Sequence, residues 1–160
     1  EYFPVPRRDR ESTLLQATCA MPLMFPIYHL GGQPYLDGGI GDAIPWKHAL
    51  EQGCDRLLVV LTHPRDYVRK PQGMRRLYRR ACRSYPNIVD AIDRRHVVYN
   101  ENWKDVFSLE RDGTAFVFAA SEPIRVGTYS MKEDAERNLY DLGLRDFAAW
   151  KNDLLEFLSI

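Results

Sequence analysis

The residues of this chain best suited to chemistry lie in the run from Gly31 to Pro45, Gly-Gly-Gln-Pro-Tyr-Leu-Asp-Gly-Gly-Ile-Gly-Asp-Ala-Ile-Pro. Tyr35 and Leu36 form an extended apolar pair that delivers Asp37 into a turn with glycines at 38, 39 and 41. Glycine has no Cβ, so the backbone after the aspartate can take left-handed or crowded conformations and let another segment approach closely. Asp37 is therefore the first candidate for chemistry. On its own, Asp-Gly is also a common turn in which the carboxylate bonds its own loop backbone. Asp42, in the same loop, reads as a cap for the helix that Pro45 can open.

The other chemistry-bearing residues are scattered. His29, His48, His63 and His96 make no His-x-x-x-His pair and have no carboxylate at ligand spacing, which argues against a metal centre. His96 falls on the inner stripe of a helix and reads as a hydrogen-bonded core residue. The glycines are not a phosphate loop: the third glycine of Gly-x-Gly-x-x-Gly would fall on Ile44, and no Lys-Ser or Lys-Thr follows. No cofactor is expected. Cys19, Cys54 and Cys82 suit neither a disulfide framework nor a metal finger, so a reducing cytosol is the simpler home. Cys19 lacks a neighbouring base and reads as a small buried residue. None of Ser12, Ser84, Ser108, Ser121, Ser130 and Ser159 has a glycine two residues to either side.

The elements that must position these residues follow from local pattern. Glu1 to Arg10 reads as an irregular lead-in. Ser12 can cap a short helix through Leu14, Leu15 and Thr18 to Cys19, ending before Pro22. Met21 to Tyr28 is an apolar, proline-broken turn. A helix from Pro45 to Gln52 is closed by Gly53 as its left-handed cap. Arg56-Leu-Leu-Val-Val-Leu-Thr62 is a continuous aliphatic run, the signature of a parallel strand covered on both faces. With a helix between Tyr35-Leu36 and this strand, a right-handed β-α-β unit is expected.

From His63 to Arg83 the chain turns basic. Met74, Leu77, Tyr78, Ala81 and Tyr85 recur at helical spacing and predict a buried face, with Arg75, Arg76, Arg79, Arg80 and Arg83 lining the other. A charge run of this kind is usually a solvated face; the functional alternative is a surface that collects anionic head groups. No aromatic interleaving accompanies the arginines, which argues against nucleic acid. Pro86 opens a long helix with Ile88, Ile92, His96, Tyr99, Trp103 and Phe107 inward, ending at Gly113. Ala115 to Ala120 is a second buried strand, expected in the same sheet. Ser130 and Glu133 form a capping box for a helix through Leu139 and Leu142 that Gly143 ends. A last helix carries Phe147, Trp150, Leu154 and Leu158 on its inner stripe.

A length of 160 residues with 45% hydrophobic content is ample for one globular core. The formal net charge is zero, so any attraction to nucleic acid or an anionic membrane must be local. No apolar run approaches the roughly 20 residues that span a bilayer, and no signal-peptide core opens the chain. A cytoplasmic location, with peripheral contact to the membrane, is expected.

Taken together, Ala17-Thr-Cys-Ala-Met-Pro22, Phe25-Pro26, Tyr35-Leu-Asp-Gly-Gly39 and Asp42-Ala-Ile-Pro45 resemble, in order and spacing, the second half of a patatin-like phospholipase domain. The remainder looks like the C-terminal extension of a bacterial subgroup of that family. The resemblance implies an α/β fold, part of a three-layer parallel-sheet architecture. Residues 1–63 would belong to the catalytic domain and 64–160 to a mostly helical extension with one further strand. It implies lipid acyl hydrolysis of the serine esterase or phospholipase A type. Asp37 would pair directly with the serine of a Gly-x-Ser-x-Gly elbow, without a histidine, and Gly38 and Gly39 would hold the loop. That elbow and the family's glycine-rich oxyanion segment are absent from this sequence. We therefore expect a C-terminal part of a longer protein, inactive alone, with Asp37 its only catalytic residue. The expected partners are a lipid or other ester substrate, the missing N-terminal half of the domain, and a membrane surface. The competing reading is a non-enzymatic docking module or a pseudoenzyme.

Overall fold

A computed structural model describes residues 2–3, 13–123 and 133–159. The Ser12 cap, the Ser130 half of the capping box and most of the lead-in lie outside the described residues. The elements are α1 (Thr13–Thr18), β1 (Tyr28–Leu30), β2 (Gln33–Tyr35), a 3-10 turn (Gly38–Ile40), α2 (Trp46–Glu51), β3 (Leu57–Leu61), α3 (Arg75–Ala81), α4 (Pro86–Arg111), β4 (Ala115–Ala119) and α5 (Glu133–Leu158). The chain is mixed α/β. β3 and β4 pair in parallel, with Leu57 opposite Ala115 and Leu61 opposite Ala119.

The expected β-α-β unit from Tyr35-Leu36 to Leu57 does not form. β2 pairs antiparallel with β1 instead, and β3 pairs with β4. The cause is the two-residue loop Gly31-Gly32, with φ of 56° and 80°. Positive φ at both loop positions is the type I′ geometry, which folds β2 straight back on β1. The parallel pair is connected through α3 and α4.

The chain divides into two compact units, Glu1–Pro45 with Arg69–Glu101, and Trp46–Val68 with Asn102–Ile160. In the first, Ile40, Tyr78, Cys82, Val89 and Ile92 form the core, with Leu36, Ile88 and Ala91 packed against it. α3 therefore turns Tyr78 inward, followed by Cys82 at its C-cap. Met74 and Leu77, expected inside, are 65% and 51% exposed. Met74 sits at the helix N-cap in the left-handed region, with φ of 57°, so it precedes the helical register. Burial pushes the Cys82 thiol pKa up. Cys19 corrects the expectation placed on it, since it is exposed.

α3 is fastened to α4 by Asp93. The Arg75 guanidinium donates from Nη2 to Oδ2 at 2.8 Å and from Nε to Oδ1 at 3.1 Å, and the Tyr78 hydroxyl donates to the same carboxylate. Those bonds, Arg75 first and Tyr78 second, hold the Asp93 pKa down at about 2.

In the second unit, α5 lies on the β3/β4 sheet. Phe157 meets Phe116 at 5.7 Å between ring centroids and Phe147 meets Phe118 at 6.1 Å. The Arg56 guanidinium stacks on the Phe157 ring and donates to its carbonyl. Val106 of α4 is fully buried, a position the inward stripe read from the sequence missed. Arg65 makes two hydrogen bonds of 2.6 Å to Glu110, and Trp103 Nε1 donates to the Arg65 carbonyl at 3.1 Å. β3 is not covered on both faces among the described residues, because Leu58 and Val60 are 52% and 69% exposed. They border an open apolar cavity of about 470 Å³, shared with Phe118, Leu142, Phe147 and Leu154.

Two helices were expected over the C-terminal stretch, and one is found. α5 runs unbroken through Gly143. A glycine in a helix costs only about 0.5–1 kcal/mol relative to alanine, too little to outweigh burial of Leu142 and Leu154 on either side of it. Phe147, Trp150 and Leu158, expected inside, keep much of their surface exposed. The caps at Gly53 and Gly113 behave as the sequence indicates. Each has positive φ, and each donates to the carbonyl three residues back while the next residue reaches back five. That pairing is the Schellman closure of α2 and α4.

Three consequences can be measured by urea unfolding of single variants. Gly113→Ala, at φ of 83°, should lower stability by about 1–2 kcal/mol, the cost of a Cβ in the left-handed region. Gly143→Ala, with open space around its added Cβ, should raise it by about 0.5–1 kcal/mol. The Asp93 carboxylate has a folded-state pKa below its ordinary 3.8. Its contribution is thus present above pH 3.8 and lost as pH falls toward 2. Asp93→Asn should be less stable than the parent at neutral pH, and the difference should shrink across that acid window.

Candidate functional site

Asp37 stands at the head of the 3-10 turn. Its backbone N–H donates to the Ala20 carbonyl at 3.0 Å, which ties the turn to the segment after α1. Its Oδ1 accepts the Gly39 N–H at 2.7 Å and caps the turn. Among the described residues no hydrogen bond is found at Oδ2. The turn then closes on itself, with Gly41 and Asp42 N–H groups both donating to the Gly38 carbonyl at 3.1 and 3.0 Å. Ile40 anchors it by burying its side chain in the first unit's core.

The glycines serve close approach rather than left-handed backbone. Neither Gly38 nor Gly39 has positive φ. A Cβ on Gly38 would stand 2.8 Å from Thr18 Oγ1, and one on Gly39 would stand 3.1 Å from Asp37 Oδ1 and 3.4 Å from Arg95 Nη2. A side chain at Gly38 would force the Thr18 hydroxyl to move, and one at Gly39 would press on the Asp37 carboxylate. Arg95, on α4, donates from Nε to the Gly39 carbonyl at 2.8 Å. Sequence reasoning missed it, because an arginine one residue before the inner stripe of a helix looks like an ordinary exposed charge.

Asp42, read as a cap, accepts a hydrogen bond from the Tyr2 hydroxyl at 2.5 Å, and the helix opens four residues further on, at Trp46. Beside the turn, Ile40 and Gly41 border an open cavity of about 310 Å³ lined on α4 by Asn87, Asp90, Ala91 and Arg94.

Asp37, Gly38 and Gly39 thus form one built feature. The arginines form another, along α3 and just after it. Arg75 is committed to Asp93, while Arg76, Arg79, Arg80 and Arg83 are exposed. The exposed Met74 and Leu77 lie among them. The histidines remain apart: His63 stacks on Tyr67 at 3.8 Å and His48 lies 4.0 Å from Glu51. His96 corrects the expectation of a hydrogen-bonded core residue, since its buried Nδ1 has no partner among the described residues. Among the described residues no group of three His, Cys, Asp or Glu gathers as a metal site. No helix there is long and apolar enough to cross a membrane.

Comparison with known proteins matches two separate segments of the chain. Residues 9–50, which contain the Asp37 turn, match the family profile of patatin-like phospholipase. Residues 85–159, from the start of α4 through α5, match a domain of unknown function, DUF6363. The uncharacterized protein YjjU of Escherichia coli (strain K12) is 38% identical over 79 residues, which are 49% of this chain and 22% of that protein. No solved structure matches the chain significantly. The resemblance to patatin-like phospholipases is thus found in a short N-terminal segment, and that segment carries the candidate aspartate.

Proposed function

We propose that this chain supplies the aspartate of a Ser/Asp dyad in a lipid acyl hydrolase of the serine esterase or phospholipase A type. The observation that carries the reading is the Asp37 turn itself. Within the patatin-like segment, a carboxylate is fixed through Oδ1 by the Gly39 N–H, and its Oδ2 has no hydrogen bond among the described residues. In the reaction, Asp37 takes the proton of a serine hydroxyl as the serine oxygen attacks the ester carbonyl. The alcohol leaves, taking a proton, and an acyl-enzyme remains. Water then hydrolyses the acyl-enzyme and restores serine and carboxylate. The serine and the oxyanion donors belong to the N-terminal half of the same domain. That half also completes the parallel sheet, consistent with the exposed Leu58 and Val60 on β3. The 160-residue chain by itself is inert in this reading.

In the full-length protein, Asp37→Asn should lower kcat/KM for a p-nitrophenyl ester by about 10²–10⁴-fold, the usual weight of a positioned general base. Circular dichroism and the unfolding midpoint should be unchanged. Undiminished hydrolysis would remove Asp37 from the mechanism.

The substrate is met at a membrane surface, and α3 supplies the contact. Exposed Met74 and Leu77 sit among Arg76, Arg79, Arg80 and Arg83, a basic and apolar combination suited to anionic lipid. Each basic residue near such a surface contributes on the order of 1 kcal/mol. Sedimentation with phosphatidylserine vesicles should show binding that weakens with salt and is lost when the four arginines become glutamine. Salt-independent binding would contradict the electrostatic contact.

A further inference from the structure

We propose that Arg95 is a positioning residue for the Asp37 carboxylate, so that the C-terminal DUF6363 segment forms part of the active site's support. The inference rests on the reading of Asp37 as the dyad base. Gly39 carries the whole connection. Its N–H holds Asp37 Oδ1 at 2.7 Å, and its carbonyl accepts from Arg95 Nε at 2.8 Å. The point where a Gly39 Cβ would stand lies 3.1 Å from Asp37 Oδ1 and 3.4 Å from Arg95 Nη2, so carboxylate and guanidinium close on one residue from two sides.

The two partners come from different matched segments. Asp37 and Gly39 lie within residues 9–50, and Arg95 lies within residues 85–159, on α4. Only the second can hold the carbonyl from outside the loop. α4 is itself fixed in this unit by burial of Val89 and Ile92 against Ile40 and by the Asp93 contacts to α3. Arg95 therefore reaches from a braced helix to the carbonyl of the turn. The planar guanidinium suits this task, because Nε and Nη2 keep a fixed mutual geometry that a lysine ammonium lacks. Release of the Gly39 carbonyl would let the glycine pair swing and take the carboxylate with it. Misplacement of a catalytic group by about 1 Å can cost on the order of 10²-fold in rate.

The test uses the full-length protein with Arg95→Met, Arg95→Lys and Asp37→Asn side by side on a p-nitrophenyl ester. Arg95→Met should lower kcat by about 10–100-fold with KM changed less than about twofold, and Arg95→Lys should recover part of the loss. Hydrogen exchange followed by mass spectrometry should show the peptide over residues 36–41 exchanging faster in Arg95→Met. Should Arg95→Met fail to fold, a lowered kcat in Arg95→Lys at an unchanged unfolding midpoint carries the same support. Parent-level kcat in the folded Arg95 variants, with Asp37→Asn silent, overturns the positioning role alone. Undiminished hydrolysis by Asp37→Asn, or none by the parent protein, removes the dyad reading instead.

Discussion

The structure of the first unit turns on the absence of a side chain at two consecutive positions. Gly38 lies where a Cβ would strike Thr18, and Gly39 where one would press on Asp37 and Arg95. Because both are bare, the end of α1, the aspartate and α4 can converge on one short turn. The turn is then fixed from every side: from behind by the Ala20 carbonyl, within by the Asp37 carboxylate, above by Arg95, and below by Ile40 in the core. A carboxylate so placed makes one hydrogen bond to its own turn, through Oδ1, and none through Oδ2 among the described residues. General-base chemistry needs that arrangement, in which the group is held in direction and still has a lone pair to offer.

Much of this was legible in the residues, and the parts that were not share a cause. The continuous aliphatic runs marked β3 and β4, whose parallel partnership the structure contains. Gly53 and Gly113 marked helix ends because only left-handed backbone closes a Schellman cap without strain. Pro86 marked the start of α4. Each of these rests on local chemistry that a sequence states directly. The misreadings concern choices made between distant segments. The strand delivering Asp37 was assigned to the parallel sheet, although Gly31-Gly32 turns it onto β1. Gly143 was read as a stop, although its small helical cost yields to packing on both sides. Met74, Leu77 and Cys19 were placed inside on periodicity or residue type, and burial depends on what lies opposite. Arg95 carried no local signal, since its role exists only once the glycine turn is beside it.

The sheet of the second unit has the complementary character. The two parallel strands carry Leu58, Val60, Phe116 and Phe118 on one face, where α5 lies over the phenylalanines and leaves Leu58 and Val60 exposed, apolar surface that a wider domain would bury. An isolated two-stranded sheet is marginal in water; under the proposed function the pair would lie at the rim of a larger α/β domain. In the proposed hydrolase, the N-terminal half supplies those strands together with the nucleophile. The C-terminal segment would then contribute to catalysis through α4 rather than only prolong the chain.

The most direct measurement of the dyad is covalent trapping. Full-length protein would be treated with a fluorophosphonate, which phosphonylates an activated serine with loss of fluoride, and the adduct located by mass spectrometry. The expected result is a single adduct on a serine of a Gly-x-Ser-x-Gly elbow in the N-terminal half, formed by the parent protein and suppressed by Asp37→Asn. An adduct on a residue of this chain, such as Cys19 or Ser84, or labelling that ignores Asp37→Asn, would contradict the dyad.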